Sequence, residues 1–459
     1  MSTLEIADRS SRIKPSIEPI YDRLPRGPHH LGREGVVRNQ RMRIHGAMIE
    51  AVAAHGYEGA TVKRVIGLAG VSRRAFYEQF TDKRSCFIAT CDLIAARWLK
   101  RVDAAFREGR GDLRTRLRCA LRAFVDEIVC SPKSAHMVVV DALCIGPEGP
   151  VRMRRVALAF ERLLCTGFQS CEYELPAPIA RGIVGGIQRA TYLHLVRERA
   201  AGPRTVEAQA LAREMLRWTM LFDPGASTRV DRNPGLQEAA ELDLQEDIGP
   251  VRPEDRRPGG AKARLLASVL RLAASEPYVD LGPVRIADEA DVPLDIFLET
   301  FADRDACFIA AFDMLGDELL TIAADPSLVG PEWAGALPTV IAAMLTHLAE
   351  HPVYARTIAH SVYAAGPEAV ERSLQLALDL TSVLTEGAPS LLRPASSLNE
   401  WLAGAMWQLI QTYGTAERAR MLPSLTKPLS RIMLTPFLGV KAAEEQLSSA
   451  AATPAAAAL

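Results

Sequence analysis

The chain has 459 residues, 48% of them hydrophobic and 24% charged, with a formal net charge of −1. That length exceeds one hydrophobic core and predicts three or four domains of roughly 100–150 residues. The near-neutral balance excludes a global attraction to nucleic acid, so any such affinity must be local. No apolar run approaches the ~20 residues that cross a bilayer, and the charged start lacks an apolar signal segment, so a cytoplasmic protein, nucleoid-associated in a bacterium, is expected. None of the eight cysteines forms a CxxC pair. They read as small buried apolar groups, with Cys165 and Cys171 the first pair to test for redox chemistry.

In chain order, residues 1–35 read as a disordered Pro-, Gly- and Arg-containing arm. A helix follows in which Ile44, Ala47, Met48, Ala51 and Val52 form one apolar stripe, ended by Gly56. Arg38, Arg41 and Arg43 lead into it and could hold phosphate. Thr61 is an N-cap for a short helix whose Val62, Val65, Ile66 and Ala69 lie on one face. Gly70 supplies a turn, and Ser72 caps a second helix that sends Ala75, Phe76 and Phe80 inward. Two short helices across such a turn make a helix-turn-helix, whose second helix enters the major groove by its N-terminus. Arg73 and Arg74 sit where they can reach guanine edges or phosphates, and Tyr77 lies one turn on. Lys63 starts the first helix of the motif, Gln79 is free to point outward, and Lys83 follows the N-cap Asp82. From 63 to 79, Lys63, Arg64, Arg73 and Arg74 stand against Glu78 alone.

These residues resemble a family. The pattern Gly56-Tyr57, Thr61-Val62, Ala69-Gly70-Val71-Ser72, Phe76-Tyr77, Phe80 and Asp82-Lys83 is similar to the DNA-binding domain of TetR/AcrR transcriptional regulators. The resemblance covers about 37–97. It implies an all-α protein in which a three-helix domain (36–98) precedes a helical ligand and dimerisation domain (99–222). It also implies that Thr61, Ser72, Arg73, Arg74, Tyr77 and Lys83 face DNA. Gly67 departs from the pattern inside the first motif helix, at a cost of about 1 kcal/mol against Ala.

Beyond the motif, helices are predicted from 86 to about 106, over 112–130, and at about 151–171, 177–198 and 206–221. Met137–Ile145 is an apolar, buried stretch. Tyr192, His194 and Trp218 could line a pocket, or serve the core or a dimer face. Residues 223–258 form an acidic linker with five prolines.

Displaced by 221, the sequence aligns with itself. Val71–Asp92 overlies Val292–Asp313 with ten of twenty-two positions identical, among them Phe76 with Phe297, Asp82 with Asp303 and Cys86 with Cys307. The expectation is a tandem duplication of the whole two-domain unit, giving a degenerate helix-turn-helix domain (259–316), a second helical domain (317–439) and a disordered Ala-rich tail (440–459). The outward residues changed: Thr61 to Gly282, Ser72 to Pro293, Arg73 to Leu294, Arg74 to Asp295, Tyr77 to Leu298. From 284 to 300, Arg285 faces five carboxylates, a surface that phosphate repels.

No Walker loop, GxGxxG after a strand, HExxH or GxSxG occurs, so no enzyme, metal or cofactor is expected. The reading is a sequence-specific, ligand-responsive repressor that binds double-stranded operator DNA through its first half. The halves pair as an intramolecular pseudo-dimer or the chains as a homodimer. The alternative is a protein-binding scaffold built on Leu294 and Leu298.

Overall fold

The computed structural model describes residues 32–146, 148–201, 205–225, 260–328, 332–389, 397–415 and 418–452. The expected arm, most of the acidic linker and the last seven residues lie outside them, apart from the helix start at Arg33. The described residues are helical and contain no strand, and none of their helices is long and apolar enough to cross a membrane. These described residues form two compact units, one drawn from 32–142 with 192–213 and the other from 143–191 with 214–452. These bounds differ from the sequence division at 222, because the middle of the first predicted helical domain packs with the second half.

In the first unit, α1 (Arg33–Gly59), α2 (Val62–Ala69) and α3 (Arg73–Tyr77) form a three-helix head on α4 (Lys83–Glu108). The α1 stripe, Ile44, Ala47, Met48, Ala51 and Val52, is buried as its spacing requires. Gly56 breaks α1 with φ +67°, a conformation that disfavours a Cβ, so the last turn bends off the helix axis. Val65, Ala69, Phe76, Phe80 and Phe87 close the core beneath it. α4 continues to Phe106 and packs on α5 (Leu113–Cys130), which in turn meets α6 (Pro132–Val139). Between α4 and α5, Glu127 is 2% exposed and forms ion pairs with Arg101 Nε at 2.7 Å and Arg97 Nε at 3.4 Å. Farther on, His136 bridges Asp141 (3.0 Å) and Arg199 (3.2 Å). Its Nδ1 therefore carries the proton and donates to the carboxylate, leaving Nε2 to accept from the guanidinium.

The second unit contains α7 (Glu148–Gln169), the first part of α8 (Ala177–Ala201) and the end of α9 (Thr205–Met220). It also contains a second head, α10 (Ala261–Ser275), α11 (Pro283–Ala290) and α12 (Leu294–Thr300), on α13 (Arg304–Ala323). Its bundle follows: α14 (Trp333–Glu350); α15 (Pro352–Arg356), running through a π-helical turn (Thr357–Ser361) into α16 (Val362–Ala364); α17 (Pro367–Thr385); α18 (Ser397–Tyr413); and α19 (Thr426–Leu438). A last helix, α20 (Val440–Ala452), corrects the expectation of a disordered tail. Val440, Ala443 and Leu447 fall at i, i+3 and i+7 and bury one stripe against α14 and α19. Alanine, the best helix former, fills much of the rest of the segment.

The two heads repeat one another in detail. Arg43 donates to the Ala69 and Gly70 carbonyls, and Arg264 to those of Ala290 and Asp291. Tyr57 meets Phe87 edge-on at 4.9 Å, and Tyr278 meets Phe308 edge-on at 5.3 Å. Lys83 lies 4.1 Å over Tyr57 and Arg304 lies 4.4 Å over Tyr278. Each cation also donates to the carbonyl of the tyrosine beneath it. Gly70 and Asp291 both turn the chain at positive φ, which aspartate tolerates better than most residues.

Burial holds the thiols of Cys86 and Cys307 in the protonated form, pushing both up to about 12. Cys165 is half-buried, facing the Leu175 carbonyl, and Cys171 is exposed; both are free thiols.

Candidate nucleic-acid interface

The site is the outer face of α2 and α3. Thr61 Oγ1 accepts the Arg64 amide at 3.3 Å, and Ser72 Oγ accepts the Ala75 amide at 3.1 Å. Each cap satisfies an otherwise orphaned first-turn donor, worth about 1 kcal/mol. The caps fix where the two helices begin. The Gly70 turn, held by Arg43, fixes the angle at which α3 leaves α2. Phe76 is fully buried and anchors α3 from below, packing on Phe80 at 5.6 Å.

Above that anchor, Lys63, Ser72, Arg73, Arg74 and Tyr77 are exposed. Arg73 lies 5.6 Å over the Tyr77 ring, which orders both side chains on the first turns of α3. Arg74 pairs with Glu78 at 2.8 Å, but its side chain is 89% exposed. Such a surface pair is worth well under 1 kcal/mol, so a phosphate can replace the carboxylate. Gln79 is half-buried and donates back to the Ala75 carbonyl at 3.3 Å. Arg41 is exposed, its guanidinium 5.4 Å over Phe80.

Two sequence-assigned contacts have other work in the structure. Arg43 is 7% exposed, and its donors serve the turn carbonyls. Lys83 donates to the Tyr57 carbonyl at 3.0 Å and covers that residue's ring, tying the start of α4 to the end of α1. Both cations brace the head, Arg43 from a buried position and Lys83 from a part-exposed one. Trp218, offered for a pocket, the core or a dimer face, is buried with its indole N–H donated to the Ile183 carbonyl at 2.9 Å.

Sequence reasoning did not anticipate His45. It is buried beside Phe80, with Nδ1 2.8 Å from Thr90 Oγ1. Thr90 donates to the Cys86 carbonyl, so its oxygen accepts from the imidazole. Burial first, then Arg41, lowers the imidazole to about 4 and keeps it neutral.

The second head offers none of this chemistry. Gly282 and Pro293 cap without a side-chain bond. Leu294 and Leu298 stand exposed where Arg73 and Tyr77 stand in the first head.

Residues 47–90 match the family described as "Bacterial regulatory proteins, tetR family". The first head thus carries the match to the tetR family. Similar curated proteins include the HTH-type transcriptional repressor AcnR of Corynebacterium efficiens, 41% identical over 65 residues. Those residues are 14% of this chain and 35% of the relative. AcnR of Corynebacterium glutamicum is 42% identical over 59 residues, 13% of this chain and 31% of the relative. The chain thus spans about a third of the length of the curated relatives it matches. Among solved structures, the fatty acid degradation regulator FadR from Bacillus halodurans aligns at 17% identity and a TM-score of 0.34, over 38% of this chain and 96% of FadR. The TetR-type match therefore rests on α1 to α4, the elements that carry the caps, the turn and the basic outer face.

Proposed function

We propose that this chain is a sequence-specific DNA-binding transcriptional regulator, acting as a ligand-responsive repressor. It reads operator DNA through α3 of the TetR-type head. The second half is a tandem copy whose head has lost DNA binding. The observation that carries this is the exposed row Lys63, Ser72, Arg73, Arg74 and Tyr77 on a capped, braced helix-turn-helix. The positions that lost these groups in the second half keep the same scaffold beneath them. Arg73 and Arg74 can donate to guanine O6 and N7 or to phosphate. Tyr77, Lys63, Thr61 and Ser72 would hold the backbone. Arg41 supports a phosphate contact from α1, and Gln79 reaches the edge of the same face once its bond to Ala75 is exchanged. A small-molecule effector held in a helical bundle would act by preferring the state in which α3 no longer fits the groove.

The test is a mobility shift at stated salt, using DNA from upstream of the gene and the variants Arg73→Ala and Arg74→Ala. Loss of a base contact relaxes preference at one position, and loss of a phosphate contact weakens all sequences alike. If both variants retain wild-type affinity, α3 is not the reader. The protein-scaffold reading has one observation in its favour: Leu294 and Leu298, 39% and 56% exposed, lie beside Asp295 and Glu299. It requires that R73A and R74A leave function intact.

A further inference from the structure

The second unit contains a contact that bears on how many reading heads one functional particle carries. α8 and α18 cross at Gly185 and Gly404. A Cβ built on Gly185 would sit 2.5 Å from the Gly404 carbonyl oxygen and 2.5 Å from Gln408 Cβ. A Cβ built on Gly404 would sit 2.5 Å from the Gly185 carbonyl oxygen and 2.5 Å from Arg189 Cβ. Real Cβ atoms do not approach that closely, so only glycine fits at either position. The relation is reciprocal: Gly185 meets Gln408 as Gly404 meets Arg189, with the same four-residue step on each helix. Reciprocal exchange of this kind defines an isologous, two-fold contact, which ordinarily joins two identical subunits. Here both sides belong to one chain.

The surroundings close the contact. Trp218 packs on Trp401 at 5.8 Å, and Gly186 makes room for the Trp218 ring. Arg154 donates to the Thr412 carbonyl and Arg189 to that of Leu374, each at 3.2 Å. Arg181 is held by Glu161 at 3.1 Å and reaches Tyr413 Oη at 3.4 Å, and Arg431 donates to Tyr173 Oη. Apart from the Arg181–Glu161 pair, these bonds run between residues 154–218 and residues 374–431, so the face is spent within the chain.

We infer that the two halves pair with each other through the α8–α18 crossing and that the protein is a monomer with a single competent reading head. A homodimeric reader presents two recognition helices 34–36 Å apart and selects a palindrome. A one-headed monomer selects one unrepeated half-site and binds it one to one. The covalent connection supports this arrangement, because it holds the two faces at an effective concentration no second chain matches in dilute solution. The stoichiometry on DNA rests on the proposed DNA reading, whereas the internal pairing does not.

The experiment uses the intact chain. Light scattering after gel filtration gives the mass, and melting curves are taken over a hundredfold range of protein concentration. Selection from random-sequence duplexes gives the preferred site. The expected result is a 50.0 kDa particle, a melting temperature independent of concentration, and a selected site without internal two-fold symmetry, bound by one chain. A particle of twice that mass whose melting temperature rises with concentration overturns the internal pairing. A palindromic site bound by two chains overturns the one-headed reading. Should no duplex be retained, the DNA reading falls, and the mass and melting data still decide the pairing. Gly404→Ala adds a local check: its Cβ must push α8 and α18 apart, so the melting temperature of the second unit should fall by several degrees. An unchanged value would mean the crossing is not formed in solution.

Discussion

Replacing Arg43 with methionine separates a structural arginine from a DNA-binding one. The guanidinium donates to two carbonyls at the helix-turn-helix corner, Ala69 and Gly70, from a buried position. Methionine keeps most of the volume and removes both donors. A bond to a charged donor contributes about 1.5 kcal/mol or more, so the two together give a loss of about 3 kcal/mol. That is roughly two orders of magnitude in the local opening equilibrium. Hydrogen exchange of the amides from Val65 to Phe76 should accelerate by about that factor. Arg264→Met removes the same brace at 3.1 and 3.4 Å from the second head and should accelerate exchange there comparably. If Arg43→Met left protection unchanged, lost DNA affinity and lowered the salt slope by about 0.9, Arg43 would be a phosphate contact and the bracing argument would be wrong.

Three further outcomes are expected. His45 titrates near 4 in the folded head against its ordinary 6.5, so the unfolded chain binds more protons between those values. Stability is therefore complete above about pH 6.5 and declines by up to about 3 kcal/mol as the pH falls towards 4. His45→Leu should flatten that part of the urea-denaturation profile relative to wild type, and an identical profile would count against burial as the cause. Glu127→Gln leaves Arg97 and Arg101 without their shared carboxylate between α4 and α5. Both arginines keep some solvent, so the loss should be nearer 2 kcal/mol than the 3–5 of a fully buried pair, read as a lowered melting temperature of the first unit. Ser72→Ala removes the α3 cap and should cost about 1 kcal/mol in stability, as measured by urea unfolding.

Much of the head was legible because its signals are local. The α1 stripe, the Thr61 and Ser72 caps and the Gly70 turn all depend on neighbours within four residues. The roles of Arg43 and Lys83 were not legible, since a cation before a helix looks the same whether it meets phosphate or a carbonyl 26 residues away. A signal was nonetheless present. Both positions keep a cation in the acidic half, as Arg264 and Arg304, where attraction to phosphate cannot be the reason. Gly185 and Gly404 were equally silent. A glycine inside a helix says only that something approaches closely, and its partner lies more than two hundred residues away. The α20 helix was hidden by its alanine-rich composition, although Val440, Ala443 and Leu447 carry a helical spacing.

The corner shared by the two heads carries a consequence for redesign. Arg264, Tyr278, Arg304 and Phe297 keep the acidic head in working posture although its outward groups are gone. Grafting serine, arginine, arginine and tyrosine at positions 293, 294, 295 and 298 would then be a change of surface chemistry on an intact chassis. On the proposed reading, four side chains would restore DNA binding to that half.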